Sequence, residues 1–361
     1  MGLFILRRLG VMILTALCLT FIVFFLTNLH PNLEKLAKTQ GEMRMSDEQV
    51  ERWLANRGYD QPLPIKYGEW LGVWPSKIIN TDDGRTYGRC IESGVEIADT
   101  PRYCGVLQGD WGTSTVFKDD VSSIIKTRLS LTGKLMFWVM VLMIPSALLI
   151  GVLAGMREGS RTDRTLSTLS IATTATPEYV SGVIFIALFA ASASPLNQWL
   201  ASMDWIEGRT LFKGTATSAM EKATFNNFFL PVLTISLYGM GYIARMTRAS
   251  MAEVMTAQYI RTARLKGVSF PNIVVKHALR NALIAPFTVI MLQIPWLLNG
   301  VVIVETLFNY KGFGWVLVQA AGNNDFELLL GVSVVSVVVV LITQLISDIG
   351  YVYLNPRISV S

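Results

Sequence analysis

The chain has 361 residues, of which 52% are hydrophobic and only 16% charged, and its mean hydropathy is +0.44. That balance lies outside the range of soluble globular domains and points to a membrane protein. The formal net charge of +5 accompanies long apolar runs, so it reads as a topology signal and not as a nucleic-acid footprint.

Crossing about 30 Å of hydrocarbon takes about 20 helical residues. Six runs qualify in chain order, at about 9–29, 131–156, 166–193, 228–243, 283–305 and 328–351. Arg7 and Arg8 precede the first run, whose apolar core exceeds the length of a cleaved signal peptide and is followed by no small-x-small site. An uncleaved signal anchor is the expectation, and Leu17 before Cys18 argues against a lipoprotein cleavage site.

Residues 30–128 follow as a long polar segment. Within it "MSDEQVERWLANRG" predicts an amphipathic helix capped near Ser46 and ended by Gly58, and stretches such as "NTDDGRTYG" are rich in turn residues. A small extracytoplasmic domain is expected, holding Cys90 and Cys104. In an oxidising compartment the two can close a disulfide; the alternative is a pair of free, buried thiols.

The fourth run is short unless its helix begins near Asn226 and Arg245 lies at the interface. Arg7 and Arg8, then Arg157, Arg161 and Arg164, then Arg245, Arg248, Arg261, Arg264, Lys266, Lys276 and Arg280 fall in three regions that share a side if there are six spans. The excess of cations puts that side, and both termini, in the cytoplasm.

A catalytic constellation is missing from the pattern. His30 and His277 are the only histidines, no Cys/His cluster has metal-ligand spacing, no phosphate loop occurs, and glycine fragments such as "KGFGW" are too weak to use. Between the fourth and fifth runs, "QYIRTARLKGVSFPNIVVKHALRN" reads as two helices around a break. The first is expected from about Ala252 through Lys266; Gly267 suits a left-handed cap, Ser269 the next N-cap and Pro271 its first turn. Arg261, Arg264 and Lys266 crowd a helix end where the dipole favours cations. A loop that served topology alone would need no such ordered sequence.

This segment resembles the cytoplasmic coupling loop of permease subunits of bacterial ATP-binding-cassette (ABC) importers, in the B-type version of the oligopeptide, dipeptide and nickel group. The general family pattern is Glu-Ala-Ala, three residues, then Gly; here Arg261, Thr262 and Ala263 take the first three places and Gly267 the last, as is usual in this group. "GDWGTSTVF", "REGSRTDR", "ARMTRASMAEV", "VVIVETLFNYKGFGWVLVQAA" and "ISDIGYVYLNPRIS" are similar to the same family, and only about 75–103 looks like an insertion.

The resemblance implies an all-α polytopic protein of the type I importer permease fold, with about six transmembrane helices and an extracytoplasmic domain between the first two. The expected layout is 1–29 for the tail and first span, 30–128 for the outer domain and 129–361 for the core permease domain, with the coupling loop at about 245–282. It further implies an inner-membrane, non-enzymatic permease subunit that moves peptides or similar small solutes from a periplasmic binding protein. A nickel chelate, an oligosaccharide or a modified peptide is the alternative cargo, and a passive channel the alternative mode.

The implied partners are a second homologous permease, two ABC ATPases that carry ATP and Mg, the binding protein and the bilayer, with no nucleic acid. Neither cofactor nor metal is expected on this chain. Arg261, Thr262, Ala263, Arg264 and Gly267 would then meet the ATPase, with Thr262 and Ala263 small for close packing and His277 structural.

For the translocation path, intramembrane polar residues are the candidates. Glu178, about 12 residues into the third run and beside Pro177, is expected either to face the cavity and favour amines or to be protonated or bonded to a neighbouring helix. Gln293, Asn299 and Gly300 are further candidates, although Pro295 and Trp296 replace a glycine-rich stretch common in the family. Asp348 is expected to snorkel or to pair with Arg357.

Overall fold

The computed structural model describes residues 2–81, 86–91, 99–206 and 208–354, with side chains over 6–297 and 301–350 of these. Almost every element among them is helical. The N-terminal helices are α1 (Gly2–Thr27), α2 (His30–Gln40), α3 (Asp47–Ala55) and α4 (Leu63–Leu71), followed by the strands β1 (Ile79–Asn80) and β2 (Thr86–Tyr87). Next come α5 (Val121–Gly155), α6 (Arg161–Ala175), α7 (Glu178–Phe185) with a π-helical extension over Ile186–Ala190, α8 (Pro195–Ser202) and α9 (Phe225–Met255). Then follow α10 (Gln258–Leu265), α11 (Phe270–Asn272), a π-helical stretch Ile273–Ala278, α12 (Leu279–Ala282), α13 (Ile284–Leu307), α14 (Phe313–Gly322) and α15 (Phe326–Leu354).

Local chemistry explains several boundaries. Ser46 caps α3 in a reciprocal box, its Oγ accepting from Gln49 N at 3.4 Å while Ser46 N donates to Gln49 Oε1 at 2.9 Å. The chain then turns through Gly58 at φ +78°. Pro177 lacks an amide hydrogen and holds Thr176 in an extended conformation (φ −90°, ψ 121°), so α6 ends at Ala175.

Five helices are long and apolar enough to span a membrane among the described residues: Leu6–Thr27, Val121–Gly155, Glu178–Ser202, Phe225–Met255 and Phe326–Gly350. The pair Phe270–Ala282 and Ile284–Leu297, bent by 50°, makes a sixth if counted as one span. The third run differs from expectation: the break at Pro177 shifts its apolar stretch to begin at Glu178 instead of at 166. The fourth is longer than expected, because α9 continues for three more turns past Ile243. The expected helix from Ala252 to Lys266 is two helices, parted at Thr256–Ala257.

The chain forms two compact units, one of Leu129–Trp315 with Val340–Ser361 and one of Gly2–Arg128 with Val316–Val339. In the first, the core is built where α5, α9 and α13 pack, around Leu135, Val139, Met143, Ile235, Ile243, Leu297 and Val304. Contacts this close require small residues; a Cβ at Gly155 would lie 2.5 Å from the Arg248 carbonyl and 2.6 Å from Met251 Cβ.

In the second unit, Leu33, Leu36, Val50 and Leu54 gather with Phe326, and Phe24, Trp70 and Leu330 form a second cluster. β1 and β2 pair antiparallel with Ile79 opposite Tyr87. A disulfide joins Cys90 to Cys104, whose Cα atoms are 5.5 Å apart. Arg89 approaches both Glu327 (3.5 Å) and Asp110 (3.6 Å), and Ser114 Oγ donates to Asp325 Oδ2 at 2.5 Å. Burial alone would lower the Arg89 pKa, yet Glu327 and Asp110 more than offset it and hold the guanidinium firmly charged.

Candidate functional site

The helix–glycine–helix segment is an amphipathic shelf on the first unit. On α10, Ile260 and Ala263 lie one turn apart and point inward, fully and nearly fully buried. They seat among Met251, Met255, Ile273, Val274, Ala278 and Ala282, with Val152 of α5 and Met156, just past its end, packed against the same cluster. Arg261, Thr262 and Arg264 face outward, and Leu265 is 81% exposed at the end of the helix. Ala263 is therefore small for the sake of its own seat and not as part of the outer face.

Gly267 takes φ +77° and reverses the chain, as a left-handed cap does. Ser269 holds the N-cap conformation of α11 without a side-chain bond, and Pro271 falls in its first turn. The second arm is irregular, running π-helical through Ile273–Ala278, where His277 is part of the helix and exposed. Asn281 Nδ2 donates to the Tyr259 hydroxyl at 2.9 Å, and Ser250 Oγ donates to the Ala282 carbonyl at 2.8 Å, tying the two arms to each other and to α9.

The turn between α5 and α6 braces the shelf. Asp163, 2% exposed, receives Arg248 Nε at 2.9 Å and a second guanidinium nitrogen at 2.8 Å, with Gly159 N at 2.8 Å and Ser167 Oγ at 3.0 Å completing its shell. The Arg248 hydrogen bonds hold the Asp163 carboxyl well below the usual carboxylate range, and burial opposes them less strongly. On the other side of the turn, the Arg157 guanidinium lies 5.1 Å from the centre of the Phe270 ring. Sequence patterns did not reveal these partners, since Asp163 and Arg248 are 85 positions apart.

The path candidates are dispersed. Pro177 is the N-cap of α7 and Glu178 its first residue, so Glu178 opens an apolar stretch where the sequence had placed it near the middle of one. Its side chain is only 9% exposed, and Oε1 has no hydrogen-bond partner among the described residues. Gln293 on α13 is buried as well. The side chains of Asn299 and Gly300 lie outside the described residues, as does Arg357; Asp348 accepts from Gln344 Nε2 at 3.2 Å. Beside Pro295, Trp296 stacks on Tyr238 of α9 with ring centres 4.5 Å apart.

Comparison with known proteins finds sequence similarity along almost the whole chain. A family described as "binding-protein-dependent transport system inner membrane component" matches residues 147–360. The chain is 31% identical over 363 residues to the di/tripeptide transport system permease protein DppB of Pseudomonas aeruginosa, covering 98% of each chain. It is 30% identical to the probable peptide ABC transporter permease protein y4tP of Sinorhizobium fredii, covering 99% of each. Identity to the dipeptide transport system permease protein DppB of Escherichia coli is 28%, covering 98% of each. With membrane-length helices, a braced helix–glycine–helix shelf and end-to-end similarity to such permeases, the chain belongs to the family of inner-membrane components of binding-protein-dependent ABC transport systems.

Proposed function

We propose that the chain is one permease half of an ATP-driven importer for short peptides, and that the outward face of α10 seats on a separate ATP-hydrolysing subunit. The observation that carries this reading is the division of α10: its apolar side is used up within the chain, while Arg261, Thr262, Arg264 and Leu265 are left presented together. An exposed leucine ringed by cations suits a groove with an apolar floor and an acidic rim.

In this reading ATP and Mg belong to the two ATPases, and the chain itself carries no cofactor. A second, homologous permease completes the path, both termini and α10 lie on the cytoplasmic side, and residues 30–128 face the external binding protein. The Cys90–Cys104 bridge suits that oxidising side. The names of the similar permeases support peptide cargo. Pro177, Glu178, Gln293, Asn299 and Gly300 remain the proposed path residues, with the stacked Tyr238–Trp296 pair as an aromatic wall beside Gln293 that favours small cargo.

The test is site-directed cross-linking in the assembled transporter. Arg264→Cys should couple to a cysteine on the ATPase surface, and Leu265→Asp should lower binding-protein-dependent uptake of a labelled dipeptide by at least tenfold, roughly the 1.4 kcal/mol that one buried apolar anchor contributes. Absence of any cross-link from positions 261, 264 and 265 in an assembly that hydrolyses ATP would overturn the seating.

A further inference from the structure

The proposed seating accounts for the outer face of α10 but leaves unused the ion pair between the enclosed Asp163 and the half-buried Arg248, which also meets Glu158 at 3.4 Å. Asp163 is almost fully enclosed, takes the guanidinium of Arg248 with both oxygens, and spends its remaining capacity on the Gly159 amide and the Ser167 hydroxyl. A two-point Arg–carboxylate contact fixes angle as well as distance, unlike a lysine contact.

What the pair joins gives it a role. Arg248 lies two turns before the end of α9, which leads through Thr256–Ala257 into α10. Asp163 lies in the first turn of α6, just after the α5–α6 turn. The same turn is held to the shelf by Arg157 on Phe270, and Val152 of α5 and Met156 of the turn pack into the apolar seat of α10. Gly155 lets α5 approach the Arg248 backbone directly. The inner ends of α5, α6 and α9 and the whole of α10–α12 are thus bound to one another by contacts of three kinds.

Two edges of this block coincide with breaks in the chain, while α5 and α9 run out of it as continuous helices. α6 ends where Pro177 interrupts it, and α12 meets α13 at Leu283 with a bend of 50°. A block with stiff internal ties, two broken edges and two continuous helices leading out of it is a body that can tilt and take α5 and α9 with it.

We propose that Asp163 and Arg248 are positioning residues that carry the motion of α10 to α5 and α6, so that the α5–α6 turn is a second arm of the transmission beside the direct covalent arm through α9. The pair touches neither cargo nor the outer face of α10. Without it, α10 still moves with α9 and the later turns of α6 stay packed on α9 beside Gly241, but the α5–α6 turn no longer follows in register, and transport per ATP falls.

This proposal rests on α10 seating on the ATPase, and the experiment separates the two. The full transporter is reconstituted in liposomes with its binding protein, and uptake of a labelled dipeptide and ATP hydrolysis are measured on the same preparation, with the Arg264→Cys cross-link as a report of seating. Two variants are compared with the wild type: Asp163→Asn, which keeps the shape of the acceptor, and Arg248→Lys, which keeps the charge but loses the two-point geometry. The expected result is a fall in dipeptide moved per ATP of at least about threefold in both, the scale on which residues along a coupling route act, with the cross-link retained.

A wild-type ratio of uptake to hydrolysis in either assembled variant overturns the transmission role, even if both rates fall together. Absence of the cross-link in the Arg264→Cys chain that carries neither of the two substitutions overturns the seating and this proposal with it. If Asp163→Asn does not assemble, Arg248→Lys decides alone.

Discussion

At the scale of single residues, the most consequential side chains are polar groups enclosed by the fold. Glu305, fully buried near the end of α13, accepts from the Thr132 hydroxyl and from Trp315 N at 2.9 Å, while Thr132 Oγ1 accepts from Phe313 N at 2.7 Å. This small network anchors the start of α14 to α5. Replacing Glu305 by Ala strands a hydroxyl and an amide in an apolar surround, so a loss of about 3 kcal/mol is expected, read as a lowered melting temperature in detergent. Asp163 makes a prediction about pH. Its carboxyl is depressed in the folded chain, so its contribution to stability is complete above the unfolded value of about 3.9 and is lost as pH falls through the still lower folded value. Melting curves of the wild type should therefore drop more steeply below about pH 4 than those of Asp163→Asn; parallel curves would show that the pair contributes no linkage.

At the scale of elements, the shelf depends on one conformation that side chains rarely adopt. Nothing lies within 4 Å of a Cβ built on Gly267, so a substitution there tests the φ of +77° alone and not crowding. Alanine should cost roughly 1 kcal/mol in that conformation and asparagine less, so uptake supported by Gly267→Asn should exceed that of Gly267→Ala; equal uptake would mean that the turn does not set the pose of α10. Local signals of this kind were legible in the sequence: the capping box at Ser46, the turn at Gly58, the left-handed Gly267 and most of the long apolar runs. The boundary between α9 and α10 was hidden because Thr256 and Ala257 carry no breaker chemistry and the helical pattern runs through them. Pro177 was visible, but whether it bends a helix or ends one depends on packing; here it ends α6 and moves Glu178 to the head of α7. The partners of Glu305, Asp325 and Arg89 stand 173, 211 and 238 positions away, beyond the reach of any periodicity.

At the scale of the whole molecule, the second unit is closed by a covalent and an electrostatic tie. The Cys90–Cys104 bridge spans 14 positions, and a loop of that size is worth about 3 kcal/mol on the chain-entropy model. Reduction should accordingly lower the melting transition of the purified chain, and the Cys90→Ser/Cys104→Ser pair should match reduced wild type; identical oxidised and reduced curves would show that the bridge carries no stability. The unit is also discontinuous in sequence: Phe326 and Leu330 complete its apolar clusters, Asp325 receives Ser114, and Glu327 meets Arg89. Its two pieces, ending at Arg128 and resuming at Val316, are 188 positions apart (316 − 128). A ribosome adding about 5–20 residues per second needs roughly 10–40 s to cross that interval. For that time the first 128 residues must wait without the Glu327 partner of Arg89 and without Phe326 and Leu330 to complete their apolar clusters. α15, made only after that interval, is therefore the helix that finishes the unit begun with α1–α4, and truncations within it should be recognised by quality-control proteases as defects of that earlier segment.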